Sequence, residues 1–161
     1  MFKIKAKISE GDSWFIRKIE EQAQKFTGKV EVGFFDSKPH ITSGKGGKRT
    51  ITMKDLAAIH EYGAPGANIP ERSFMRASLQ LNKGKYGSYL LAQMKQLLLF
   101  KTTPTKIKET LGMQAKADIQ SYMVNGKFTP LKQSTIKRKK SSKPLIDTGQ
   151  LRQSVTYRIV K

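Results

Sequence analysis

Phe2, Ile4, Ala6 and Ile8 alternate with Lys3, Lys5 and Lys7, the period-two pattern of a strand with one dry face and one basic face. The spacing then changes. From Ser13 to Phe26 the residues Ile16, Ile19, Ala23 and Phe26 recur at helical intervals, and Gly28 is placed to end that helix. Val30, Val32 and Phe34 alternate again and predict a second strand.

The run from Ser37 to about Thr50 is rich in glycine and lysine and contains no acid, so it reads as a flexible basic loop that orders on docking, with Lys45, Lys48 and Arg49 as its cationic contacts. Thr52-Met53-Lys54-Asp55 has the form of a capping box ahead of Leu56, Ile59 and His60, which predicts a short helix that stops at Gly63. After the turn-rich Ala64–Asn68, Pro70 is suited to the first turn of a helix carrying Phe74, Met75 and Leu79 and extending toward Leu90 and Met94. Gly84 and Gly87 are breakers within that stretch. Thr105–Val124 is a second long amphipathic helix, through Ile107, Leu111, Ala115, Ile119 and Met123, with Asn125-Gly126 as its terminator. Asp147-Thr148-Gly149 reads as a polar turn capping one helical turn, and Val155, Tyr157 and Ile159 form one face of a closing strand.

These elements predict an α+β fold: a small antiparallel sheet packed against one or two long amphipathic helices, with a flexible basic loop over 37–50. A length of 161 residues suits one domain over 1–161. The alternating start, and the lack of any apolar run near the roughly 20 residues of a membrane span, predict neither a signal peptide nor a transmembrane helix.

Charge and composition narrow the chemistry. The formal net charge is +19, which requires acidic partners or surfaces. Lys137, Arg138, Lys139 and Lys140 form the densest basic run, suited either to phosphate contacts with counterion release or to a solvated helix face. No aromatic residue interleaves with it, so base stacking is not indicated. The chain has no cysteine and two histidines, which removes disulfides, thiolate catalysis and His- or Cys-rich zinc sites and fits a reducing cytoplasm. His60-Glu61 is followed by Ala64 where a metalloprotease helix needs its second histidine, and Gly44-Lys45-Gly46-Gly47-Lys48-Arg49 lacks the spacing of a phosphate loop. Asp55, Glu61 and Glu71 are the only acids between Asp36 and Glu109, too few for a two-metal centre. Neither an enzyme, a metal site nor a cofactor site is expected.

Three stretches, in this order, resemble the tail-completion or neck proteins of tailed bacteriophages. The first is Val32-Gly33-Phe34 with Leu56-Ala57-Ala58-Ile59-His60-Glu61-Tyr62-Gly63; the second is Ile69-Pro70-Glu71-Arg72-Ser73-Phe74-Met75-Arg76. The third joins Pro130-Leu131, Ser134-Thr135-Ile136 and Lys139 to Pro144-Leu145-Ile146-Asp147-Thr148-Gly149-Gln150-Leu151 and to Ser154-Val155-Thr156-Tyr157. Ser73 stands where that family often has proline. The resemblance gives structural roles to His60, Glu61, Tyr62, Gly63, Pro70, Arg72, Phe74, Asp147, Thr148, Gly149 and Leu151. It implies a non-enzymatic virion part at the head–tail junction, made in the host cytoplasm and assembled as a sixfold or twelvefold ring around the DNA passage. Its implied partners are further copies of itself, the head connector or adaptor, the tail terminator or tail tube, and genomic DNA in the channel, with no membrane. Tail-terminator and head-completion roles are the near alternatives. A sequence-independent DNA-binding protein is the alternative outside a virion.

Overall fold

A computed structural model describes residues 10–35, 39–44, 47–139 and 142–160. The chain is α+β. The expected strand over Phe2–Ile8 lies outside the described residues. Helix α1 runs Glu10–Lys25, followed by β1 over Lys29–Gly33. Gly28 takes φ 91° between them, a left-handed conformation open to glycine at little cost.

Strand β1 pairs antiparallel with β4 (Thr156–Val160), Val32 opposite Tyr157 and Glu31 opposite Arg158. Within the expected flexible basic loop over 37–50 the described residues form a second antiparallel pair, β2 (Pro39–Gly44) with β3 (Gly47–Thr52), so the loop reading is corrected for those residues. Composition favours a loop, but Ile41, Thr42, Thr50, Ile51 and Thr52 are β-branched, and backbone pairing carries the ribbon as far as Gly44 opposite Gly47. Lys45 lies outside the described residues; Lys48 and Arg49 sit on β3, opposite Ser43 and Thr42.

Thr52 ends β3 and starts α2 (Met53–Tyr62): its Oγ1 accepts from Asp55 N at 3.1 Å and donates to the Asp55 carboxylate at 2.6 Å. This is the predicted cap. Pro70 does not open the next helix. Residues 70–73 belong to no helix, and α3 begins at Met75 and continues unbroken to Leu98 through Gly84 and Gly87. Two interior glycines cost about 1 kcal/mol each; antiparallel packing on α4 (Pro104–Asn125) offsets them. Midway along that pair Asp118 accepts from Lys85 Nζ at 2.8 Å and from Tyr86 Oη at 2.9 Å. Burial, then the hydrogen bond to Asp118 and its charge, push the Tyr86 phenol upward.

Helix α4 lies across β1 and β4. The core gathers Met53 and Ala57 from α2, Phe74 at the head of α3, Ile119 and Met123 from α4, and then Leu145, Leu151 and Val155. The short α5 (Gln133–Lys139) and α6 (Gln150–Gln153) complete the helices, with Leu151 of α6 buried. Gly112 faces Tyr157 so closely that a Cβ there would sit 2.3 Å from Tyr157 Cδ2, whereas a Cβ on Gly84 or Gly87 would meet nothing within 4 Å among the described residues.

Opposite outcomes follow for alanine at these three helical glycines. Gly112→Ala is expected to destabilise by about 1–3 kcal/mol through overpacking on a β4 ring. Gly84→Ala and Gly87→Ala are each expected to stabilise by up to about 1 kcal/mol through helix propensity. Urea unfolding of the three variants measures both.

Candidate functional site

Of the residues marked by the family resemblance, Glu61, Gly63, Arg72 and Phe74 meet at the start of α3. Glu61 belongs to the last turn of α2 and is spaced by four from Ala57 and by eight from Met53, both buried, so its side chain falls on the core face. It is 4% exposed. Burying a carboxylate is costly unless it is fully hydrogen-bonded, and here every need is met. Oε2 accepts from the backbone N–H of Phe74 at 2.8 Å and of Met75 at 2.9 Å, and Oε1 accepts from Arg76 N at 3.0 Å. The Ser73 hydroxyl donates to Oε1 at 2.9 Å, a bond that proline at that position could not make. Arg76 Nε completes the set at 3.0 Å.

Glu61 therefore caps α3 from another helix. The free N–H groups and the positive end of the helix dipole both favour a carboxylate there. Burial alone would raise the acid's pKa. It is outweighed by the backbone N–H groups of Met75 and Arg76, the Ser73 hydroxyl and the Arg76 guanidinium, so Glu61 lies below its ordinary value of 4.5. The same contact with Glu61 raises Arg76, which also donates to Glu71 at 2.7 Å and to the Glu61 carbonyl at 3.2 Å. Its guanidinium carbon lies 4.9 Å from the centre of the Tyr62 ring, which is otherwise exposed.

Gly63 makes the return possible. It takes φ 76°, and a Cβ would stand 2.9 Å from Glu71 N. Ala64 and Ile69 then bridge antiparallel around the turn, and Pro70 follows half-buried. Arg72 N donates to the His60 carbonyl at 2.8 Å, and the buried Arg72 side chain donates Nε to the Thr129 carbonyl at 3.1 Å. That bond ties α2 and α3 to the segment after α4. Phe74, fully buried, meets Phe34 edge-on with ring centres 6.1 Å apart.

The third stretch enters the same core from the other side. Leu145, Leu151 and Val155 pack with Ala57 and Phe74 in one cluster. Gly149 is the N-cap of α6 at φ 78°, and the Thr148 hydroxyl accepts from Gln150 N at 3.4 Å, while Asp147 is exposed. Thr148 thus supports the turn and Gly149 shapes it.

The cationic candidates are distributed differently. Lys137 is exposed on α5, Arg138 and Lys139 lie in the same short helix, and Lys140 lies outside the described residues. Arg76 and Thr129 are hub participants to which the sequence reading assigns no role, and Ser73, marked only as a departure from the resembled family, joins them. The available signal is Glu61 itself, since a charge on the apolar face of a helix needs a buried partner. Among the described residues no three His, Cys, Asp or Glu side chains stand together as a metal site, and no helix is long and apolar enough to cross a membrane. No family model matches the chain, and no curated protein or solved structure shows significant similarity to it.

Because Glu61 is lowered, its contribution is fully present above its ordinary 4.5 and is lost as pH falls through its folded value. Glu61→Gln is expected to cost about 3 kcal/mol at neutral pH. Its stability should also fall less steeply below pH 4.5 than that of the parent. Chemical denaturation of both proteins between neutral and acid pH tests the pair of expectations.

Proposed function

We propose that the protein is a structural component of a tailed-bacteriophage neck, acting in tail completion and head–tail joining as a ring around the DNA passage, without catalysis. The observation that carries this reading is the convergence of the three resembling stretches in one buried centre. Glu61 and Gly63 from the first set the start of α3, Arg72 and Phe74 from the second fill the junction, and Leu145 and Leu151 from the third close the core behind them. Buried roles for Glu61, Arg72, Phe74 and Leu151 suit a part whose function is to present surfaces. In a ring, each copy offers two different surfaces, and closure depends on the rotation between them.

Deleting the gene in its phage and counting particles by negative-stain electron microscopy tests the assignment. Free full heads beside free tails of complete length are the expected result; normally joined virions would reject it.

The net charge of +19 favours one second reading, sequence-independent DNA binding. If Lys137, Arg138, Lys139 and Lys140 face DNA, replacing all four by glutamine flattens the plot of log affinity against log salt by about 0.9 per phosphate that they neutralise. Filter binding to duplex DNA across a salt series measures the slope, and an unchanged slope assigns the cluster to protein or solvent.

A further inference from the structure

Helix α3 has one side on α4 and the other uncovered among the described residues. On the uncovered side Leu79, Lys83, Gly87, Leu90, Met94 and Leu98 follow one another at intervals of three or four residues, which places them in a single stripe. Leu79, Met94 and Leu98 are exposed, and Leu91 beside them is 76% exposed. Between Arg76 and Leu90 the stripe opens as a groove of about 570 Å³ with Leu79, Lys83, Tyr86 and Gly87 in its walls. The helix carries no acidic residue, and of its four cations Arg76 is paired with Glu61 and Glu71 and Lys85 with Asp118, which leaves Lys83 and Lys95 to face a partner.

We propose that this stripe is the docking site for an acidic amphipathic helix of a partner protein. Charge complementarity and shape select that occupant. Leucines at helical spacing fit the apolar face of another helix, and the lysines flanking them fit carboxylates on its rim. From Leu79 to Leu98 the stripe extends about 28 Å at 1.5 Å per residue, the length of a helix of about five turns. Gly84 and Gly87 find their reason in the same contact. Among the described residues no other element lies within 4 Å of a Cβ at either position, so their helix-weakening cost gains nothing there, but the notch they leave lets a second helix axis approach closely.

Other occupants fit less well. Duplex DNA would match the lysines and leave the leucines without a partner. A flat anionic bilayer would leave the glycine notch unfilled, and a second copy of α3 would oppose cation to cation. The proposal stands on α3 alone and is independent of the neck reading.

The test uses the full chain and two synthetic fluorescent peptides of one composition. One has leucines at three- and four-residue spacing with glutamates between them, and the other has the same residues scrambled. In anisotropy titrations at physiological salt, the patterned peptide is expected to bind at least about tenfold more tightly than the scrambled one. Gly87→Leu, which leaves charge unchanged and fills the notch, should remove that advantage while circular dichroism shows the fold retained. Lys132→Glu with Lys137→Glu, away from α3, should leave the advantage in place. Gly87→Ala provides a milder variant with raised thermal stability and weakened docking. Equal binding of the two peptides overturns the proposal, as does a patterned-peptide affinity insensitive to Gly87→Leu. Displacement of the patterned peptide by duplex DNA or anionic vesicles with a sensitivity to Gly87→Leu assigns the stripe to those ligands and overturns it. So does concentration-dependent self-association that Gly87→Leu abolishes.

Discussion

The Glu61 carboxylate occupies the place where the backbone of α3 runs out of acceptors, and the centre of the molecule is arranged around that contact. A helix start buried in a core must have its free N–H groups satisfied, and a carboxylate buried in a core must have donors. Each requirement is costly alone and each answers the other. The geometry then propagates. To bring Glu61 under Phe74 the chain must reverse at Gly63, and to hold that reversal Arg72 binds the His60 carbonyl in front and the Thr129 carbonyl behind. A helix of 24 residues is thus aimed from its first turn. Its partner α4 follows that direction and presents Gly112, Ala115, Ile119 and Met123 to the sheet and core.

The two long helices illustrate how an identical residue has opposite meanings. Gly112 on α4 is required because the Tyr157 ring of β4 lies against the backbone at that point. A Cβ on Gly84 or Gly87 of α3 would touch nothing among the described residues, and the side of the helix they occupy is also where exposed leucines gather. A close packing surface within the chain and a vacant one on its outside account for all three. The charge excess follows the same division: the hub pairs Arg76 with Glu61 and Glu71, and Asp118 pairs with Lys85, while Lys83 and Lys137 remain outward and exposed. Fixed pairs of this kind position helices, and the remaining cations set what the surface attracts.

Much of the fold was legible from spacing alone. The Thr52 capping box, the stop at Gly63, the strand at Val30–Val32 and its edge partner at Tyr157–Ile159, and the helix ending at Asn125-Gly126 all follow from local rules, because caps, alternation and left-handed glycines act within a few residues. The site was legible in part. The resemblance marked Glu61, Gly63, Arg72 and Phe74, but Arg76 stands 15 residues from Glu61 and Thr129 stands 57 from Arg72, separations at which no periodicity connects residues.

What the amino-acid sequence determined by itself was the set of elements, their α+β class and the strongly cationic character of the surface. Tertiary structure decided the rest. It denied Pro70 its place in the first turn, because the donors that open α3 are those within reach of Glu61, starting at Phe74. It carried α3 through two glycines, because packing along α4 exceeds a propensity cost of about 2 kcal/mol. It made a paired ribbon of the glycine-lysine segment, because antiparallel backbone bonds ask little of side chains. Local propensity is a matter of about one kcal/mol per residue, and buried contacts among distant residues exceed it wherever the two disagree.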